Sequence, residues 1–215
     1  MKNKTVVENR VDKPRPNLVV MLSGEGEMLK ALIDAVAMEL LDARIALVVS
    51  NKRAATGLEV AAQAGIETLY FPMKPFRKAN RSRYDYDDEL AQAIKPFNPE
   101  IVVLLGWSHI LSHTFLSHYP GRVINLRAAL PTQFLKVDNP IEDAYAAYRR
   151  MRITYSGCSV HLAIPEAEAG TPVVTAMVPL RPIDGYEEFE RRMRRTQKRV
   201  IVLGVQISLE AVGAN

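Results

Sequence analysis

The chain has 215 residues, 48% hydrophobic, 24% charged and 7% aromatic, with 11 Gly and 13 Pro; this composition excludes disorder, collagen and coiled coil. A domain of this size buries roughly 70% of its unfolded surface and needs no disulfide or metal staple. Twenty-eight Lys and Arg against 24 Asp and Glu leave a net charge of +4, compatible with an anionic small molecule and with nucleic acid alike.

The single cysteine, Cys158, excludes an intramolecular disulfide. No apolar run reaches the ~18 residues of a membrane span, and the start, MKNKTVVENR, lacks the apolar core of a secretory signal. A reduced, cytoplasmic setting is expected, with no membrane partner.

Residues 1–16 are polar and end in KPRP, which predicts a flexible N-terminal arm. From Asn17 onward, apolar runs of strand length alternate with stretches of helical period. Leu18–Leu22 precedes a helix over Glu27–Leu41, Ala43–Ser50 a helix over Arg53–Ala64, and Glu67–Phe71 a helix over Arg83–Ile94. Ile101–Gly106 and Arg122–Leu126 complete this half. Such alternation predicts a Rossmann-like, doubly wound, mostly parallel α/β sheet with helices on both faces.

The pattern then changes to a helix over Ile141–Met151 and strands over Cys158–Ile164 and Pro172–Leu180. About seven strands with an antiparallel edge are expected, in one domain over 17–215. A final helix is predicted from Ile183 to about Val212, capped at Gly213 and interruptible at Gly204. Within it, Glu187, Glu188 and Glu190 precede Arg191, Arg192, Arg194, Arg195, Lys198 and Arg199. Acid first and base last suits a helix dipole, so a solvated face is the plain reading of this stripe.

The first strand runs into Gly24-Glu25-Gly26 and then a helix start. This geometry offers backbone N–H groups to an anion, although Glu25 and Glu27 repel one and a tight structural turn explains the glycines equally well. Leu29 stands where a dinucleotide fingerprint needs its third glycine. His109, His113 and His118 have no metal-ligand spacing and read as capping or packing residues, so no metal is expected. In an open sheet, the strand ends at Gly106–His109 and Asn125–Arg127 are where a ligand would sit.

Four runs in order, SGEGEMLKALIDA, VVSNKRAATGLEVAAQAGI, IVVLLGWSHILSHTFLSHYPGRVINL and GCSVHLAIPEAEAGTPVV, resemble the folate-dependent formyltransferase family, most closely its branch acting on glycinamide ribonucleotide in purine biosynthesis. The resemblance runs from Asn17 to about Val212. It implies 10-formyltetrahydrofolate as cosubstrate and an amine or ribonucleotide as acceptor. It also implies a catalytic set of an Asn and a His in an N-x-H strand end with a loop Asp.

Asn125 matches the Asn, but the His position is Arg127; a guanidinium that stays protonated cannot shuttle a proton, and its expected role is to stabilise an oxyanion or hold an anionic ligand. The loop carboxylate aligns with Glu168, and His161 matches a family S-V-H motif near the centre. On the donor side the resemblance implies Trp107, Ile110 and Leu111 at the pterin pocket and Arg83 near the benzoyl-glutamate portion; core packing would account for Ile110 and Leu111 as well. On the acceptor side it implies the Gly24-Glu25-Gly26 loop and Gln197, where the family has a ribose-contacting Glu. Glu27 and Met28 replace small polar residues beside the phosphate site, and RAALPT replaces HPSLLP.

Three functions follow as expectations: a formyltransferase with altered acceptor, a degenerate paralogue that binds a folate, nucleotide or protein without catalysis, and a nucleic-acid-associated protein using the Arg191–Arg199 stripe. The third is disfavoured, because the family's transfer-RNA branch carries a further C-terminal domain that is not expected here. A homodimer is compatible with the sequence.

Overall fold

The computed structural model describes residues 14–135, 137–165, 167 and 170–214. Its centre is a seven-stranded sheet in the order β3-β2-β1-β4-β5-β6-β7. The strands are β1 (Asn17–Leu22), β2 (Arg44–Ser50), β3 (Thr68–Tyr70), β4 (Ile101–Leu105), β5 (Val123–Arg127), β6 (Tyr155–Leu162) and β7 (Pro172–Pro179). The first five pair in parallel, and β6 and β7 run antiparallel.

The parallel strands are apolar on both faces because both are covered. Leu18, Val20 and Leu22 pack with Leu29, Leu32, Met193 and Ile201 on one side, and Val19 and Met21 with Tyr86, Leu90, Ile94 and Phe115 on the other. The register of β1 on β2 passes from Leu18↔Ile45 to Val19↔Leu47, so Ala46 is an extra residue that reverses the alternation. Ile45 and Val48 consequently share one core while Leu47 and Val49 enter the other.

The helices are α1 (Glu27–Ala37), α2 (Thr56–Gln63), α3 (Lys74–Lys78), α4 (Arg83–Ile94), α5 (His113–His118), α6 (Pro140–Arg149) and α7 (Tyr186–Gly213). α4 spans the expected Arg83–Ile94, and reciprocal bonds between Ser82 and Asp85 close a capping box at its start. α1 ends four residues before the expected Leu41, because Glu39 adopts a left-handed φ of 58°. α3 and α5 escape the sequence reading; one carries a proline in its first turn, and the other is a six-residue element too short to show a period.

α7 corrects three expectations. Ile183 lies before it and is 91% exposed. Gly213 is its last helical residue rather than a cap, with Ala214 beyond. Gly204 does not interrupt the helix: a Cβ there would stand 2.8 Å from three side-chain atoms of Val160, so the missing side chain lets α7 lie close on β6.

The basic stripe sits in the first half of this 28-residue helix, so a C-terminal dipole does not account for it. It is knit into ion pairs instead: Arg191 with Glu188, Arg192 with nearly covered Asp184, and Arg194 with Glu190. These pairings leave less of it available as a phosphate-binding face.

Of the expected arm, residues 1–13 lie outside the described residues. Pro16 accepts a hydrogen bond from the backbone N–H of Arg44 at 2.9 Å. No helix among the described residues is long and apolar enough to cross a membrane.

Candidate functional site

From β1 the chain first winds outward through β2 and β3, then returns to place β4 and β5 on the other side. The switch point therefore falls between β1 and β4, and a crevice opens beyond their carboxyl ends. Side chains tie these ends together. Ser23 Oγ donates to Asn51 Oδ1 at 2.7 Å, Asn51 Nδ2 donates to Ser108 Oγ at 2.8 Å, and the Ser108 backbone N–H donates to Ser23 Oγ at 2.9 Å. Above this ring lies a cleft of about 840 Å³.

One end of the cleft is the glycine loop. Gly26 has φ 84°, and a Cβ on it would come within 2.6 Å of Gly57 Cα, so both conformation and close approach to α2 require glycine. That packing explains Gly26 with no ligand, as the structural-turn reading expects. α1 begins with Glu27, whose Oε1 is 2.8 Å from Lys198 Nζ and whose Oε2 is 3.2 Å from Arg194 Nη1. Arg194 also donates to Glu190; burial works against its charge, but Glu190 and Glu27 outweigh this and raise its pKa. The added Glu27 charge is thus neutralised from within the chain.

At the floor stand Asn125 and His161, direct partners across the antiparallel β5–β6 ladder. Asn125 Nδ2 and His161 Nε2 are 3.2 Å apart. His161 Nδ1 is 3.1 Å from the Leu162 carbonyl and 3.1 Å from the backbone N of Gly170, which can donate to it. With Nδ1 accepting from Gly170, Nε2 carries the proton, the Asn125 amide turns its oxygen to the ring, and its NH2 faces the cleft. With Nδ1–H on Leu162, Asn125 donates to the ring and offers its oxygen instead. Burial, with help from the Arg127 charge, lowers the His161 pKa against the opposing bond to Leu162, so the ring is neutral at pH 7.

Arg127 lines the cleft, but its guanidinium serves a neighbouring loop. Nη1 donates to the Gln133 carbonyl at 2.6 Å, and Nη2 donates to the Phe134 carbonyl. Thr132 and Phe134 have φ of 69° and 49°, and this tight loop, which follows RAALP, is held at the Gln133 and Phe134 carbonyls by Arg127. Val137, Asp138 and Pro140, further along the same connection, also line the cleft.

The remaining wall is aromatic and apolar. Trp107 and Leu111 are buried and Ile110 is 40% exposed; all three line the cleft, and Trp107 and Leu111 also belong to the α4–α5 core. The indole Nε1 of Trp107 is buried without a hydrogen-bond partner. His109 meets Trp107 and Tyr86 edge-on; burial, reinforced by the charges of Arg77 and Arg83, lowers its pKa although Asp87 opposes this.

Ten expected residues thus share one cleft: Asn125, Arg127, His161, Trp107, Ile110, Leu111, Gly24, Glu25, Gly26 and Gln197. Arg83 is not among its lining residues; its Nε is 3.8 Å from buried Asp87 Oδ2. Glu168 lies outside the described residues. Lys52, Asp138 and Arg194 line the cleft without having been singled out as site residues; for Arg194 the available signal was its position one turn before Gln197. His118 pairs with Asp88 at 2.8 Å, and no group of three His, Cys, Asp or Glu among the described residues is arranged to hold a metal.

Fold and cleft define the class: an open, doubly wound α/β protein with an antiparallel edge and a cleft at its switch point. Residues 16–205 match the family described as Formyl transferase, and the chain belongs to that family. It is 34% identical over 200 residues to phosphoribosylglycinamide formyltransferase of Dictyostelium discoideum, covering 89% of this chain and 97% of that protein. With its namesake in Schizosaccharomyces pombe it shares 36% over 197 residues, covering 88% and 95%. The crystal structure of glycinamide ribonucleotide transformylase 1 from Symbiobacterium toebii has the same fold, with TM-score 0.82 at 24% identity over 92% of this chain and 89% of that one.

Proposed function

We propose that the protein transfers a formyl group from 10-formyltetrahydrofolate to an amine acceptor that differs from glycinamide ribonucleotide. The observation that carries this reading is the Asn125 amide beside a neutral, nearly covered His161 at the cleft floor, in a chain of the formyl transferase family. In the transfer the amine nitrogen bonds to the formyl carbon, the bond from that carbon to the tetrahydrofolate nitrogen breaks, and the amine proton passes to the leaving nitrogen.

Asn125 would donate its N–H to the formyl oxygen as negative charge develops there, which stabilises a tetrahedral intermediate. That role uses the tautomer in which Gly170 donates to His161 Nδ1. Trp107, Ile110 and Leu111 suit a flat heterocycle, and Arg83 would act from beyond the lining through its charge. Arg127 cannot relay the proton; Glu168 is assigned as the carboxylate that organises water and proton transfer. The charged residues at the glycine loop favour an altered acceptor.

A second reading, binding without turnover, is favoured by one observation: both arms of the Arg127 guanidinium are engaged with loop carbonyls. The test is formyl transfer to glycinamide ribonucleotide and to other small amines, with hydrolysis of the donor followed in the same cuvette, for the natural chain and Arg127→His. Transfer to an amine by the natural chain supports the first reading. Donor binding by the natural chain with no transfer, transfer being gained in Arg127→His, supports the second; absence of donor binding in both rejects the first reading and the folate-binding form of the second.

A further inference from the structure

We infer that Glu27 acts as a specificity residue that excludes phosphate from the glycine-loop end of the cleft, so that the ligand's group at this end is neutral or cationic. Calling that ligand the acceptor rests on the formyl-transfer reading; the exclusion itself is a property of the cleft.

The start of an eleven-residue helix after a Gly-x-Gly turn would ordinarily offer N–H groups and the positive end of a dipole to an anion. Here the first helical residue supplies the anion itself. Glu27 bridges Lys198 and Arg194, 2.8 and 3.2 Å away, and Arg194 is held a second time by Glu190 at 2.6 Å. The cations best placed to meet a phosphate here are therefore already engaged.

A phosphate could take them only by displacing Glu27, and the displaced carboxylate would stay close. Its backbone follows Gly26, which is locked against Gly57 with no room for even a Cβ. Glu25 is exposed on the same wall and has no ion pair among the described residues. At this end Glu27 and Glu190 compensate Arg194 and Lys198, so a dianion would have to compete with carboxylates for both cations. Arg127, elsewhere in the cleft, is bonded to the Gln133 and Phe134 carbonyls, and Lys52, which also lines the cleft, acts electrostatically on His109.

The probe is ribose 5-phosphate, titrated by calorimetry and by backbone amide shifts into the natural chain, Glu27→Ser and Glu27→Gln. The glutamine keeps the side-chain shape, and thermal unfolding checks that each variant is folded. The natural chain should show no saturable binding at millimolar probe, and both variants should bind at least about tenfold more tightly, with shifts at residues 24–29. Binding by the natural chain as tight as by Glu27→Ser, or no gain in either folded variant, overturns the proposal.

A second arm offers glycinamide ribonucleotide and its dephosphorylated riboside as acceptors with 10-formyltetrahydrofolate. Formylation of the riboside in preference supports the inference, and preference for the ribonucleotide overturns it. If neither is formylated, the formyl-transfer reading loses support while the titration still decides the role of Glu27.

Discussion

Among the described residues, replacing Arg127 by alanine removes two hydrogen bonds from a charged donor, to the Gln133 and Phe134 carbonyls. Bonds to charged groups contribute about 1.5–3 kcal/mol each, but Arg127 is only half-buried, so water can reach the freed carbonyls. Values at or below the lower end therefore apply, and the loss should total about 2–3 kcal/mol. At a urea slope of about 2 kcal/mol per molar, the unfolding midpoint falls by about 1 M. Arg127→Lys should recover less than half, since an ammonium cannot reproduce the fork. Hydrogen exchange should rise over residues 130–135. A stability within about 0.5 kcal/mol of the natural chain, with unchanged exchange in that segment, would refute the idea that the guanidinium organises the loop.

Gly204→Ala should gain about 1 kcal/mol of helix propensity and lose about 1–3 from overpacking against Val160, for a net loss that thermal unfolding detects and that Val160→Ala relieves in the double variant. Arg192 donates to Asp184 and holds its carboxyl below the usual range despite burial; that contribution is present above the unfolded pKa of about 3.9 and is lost as pH falls through the lower folded value. Asp184→Asn should therefore show a flatter acid limb in urea denaturation at pH 2–5, and an unchanged limb would contradict this. The His161 ring should titrate by NMR below about pH 6.5, and its midpoint should rise in Arg127→Ala because one opposing charge is gone; a midpoint at or above about 6.5 in the natural chain would contradict the lowering by burial. For His161, stability is present above the unfolded pKa and is lost as pH falls through the depressed folded value.

The mostly parallel sheet and its layers were legible because strands buried on both faces are continuous apolar runs, and Asn125 was legible from the family resemblance together with its place at a strand end. Other features depend on contacts that local patterns cannot show. Glu27 meets Arg194 from 167 positions away, so the sequence offered the charge without its neutralising partners. Ala46 could not be told from an ordinary strand residue, since only its pairing reveals the bulge. The role of Arg127 depended on where the carbonyls of residues 133 and 134 point, which backbone geometry alone decides. Gly204 looked like a break in α7 because helix propensity is local, whereas its reason is the surface of Val160.

The contact of Gly26 with Gly57 bears on how a ligand would be received. The Gly57 N–H donates to the Gly24 carbonyl at 3.2 Å, so α2 braces the 24–26 turn from behind before anything binds. Such a turn surrenders little conformational entropy on association, and its occupant meets a rigid mould rather than a wrapping loop. Binding at this end should accordingly be fast and discriminating, with selectivity residing in the charges displayed on the turn and little of it in rearrangement.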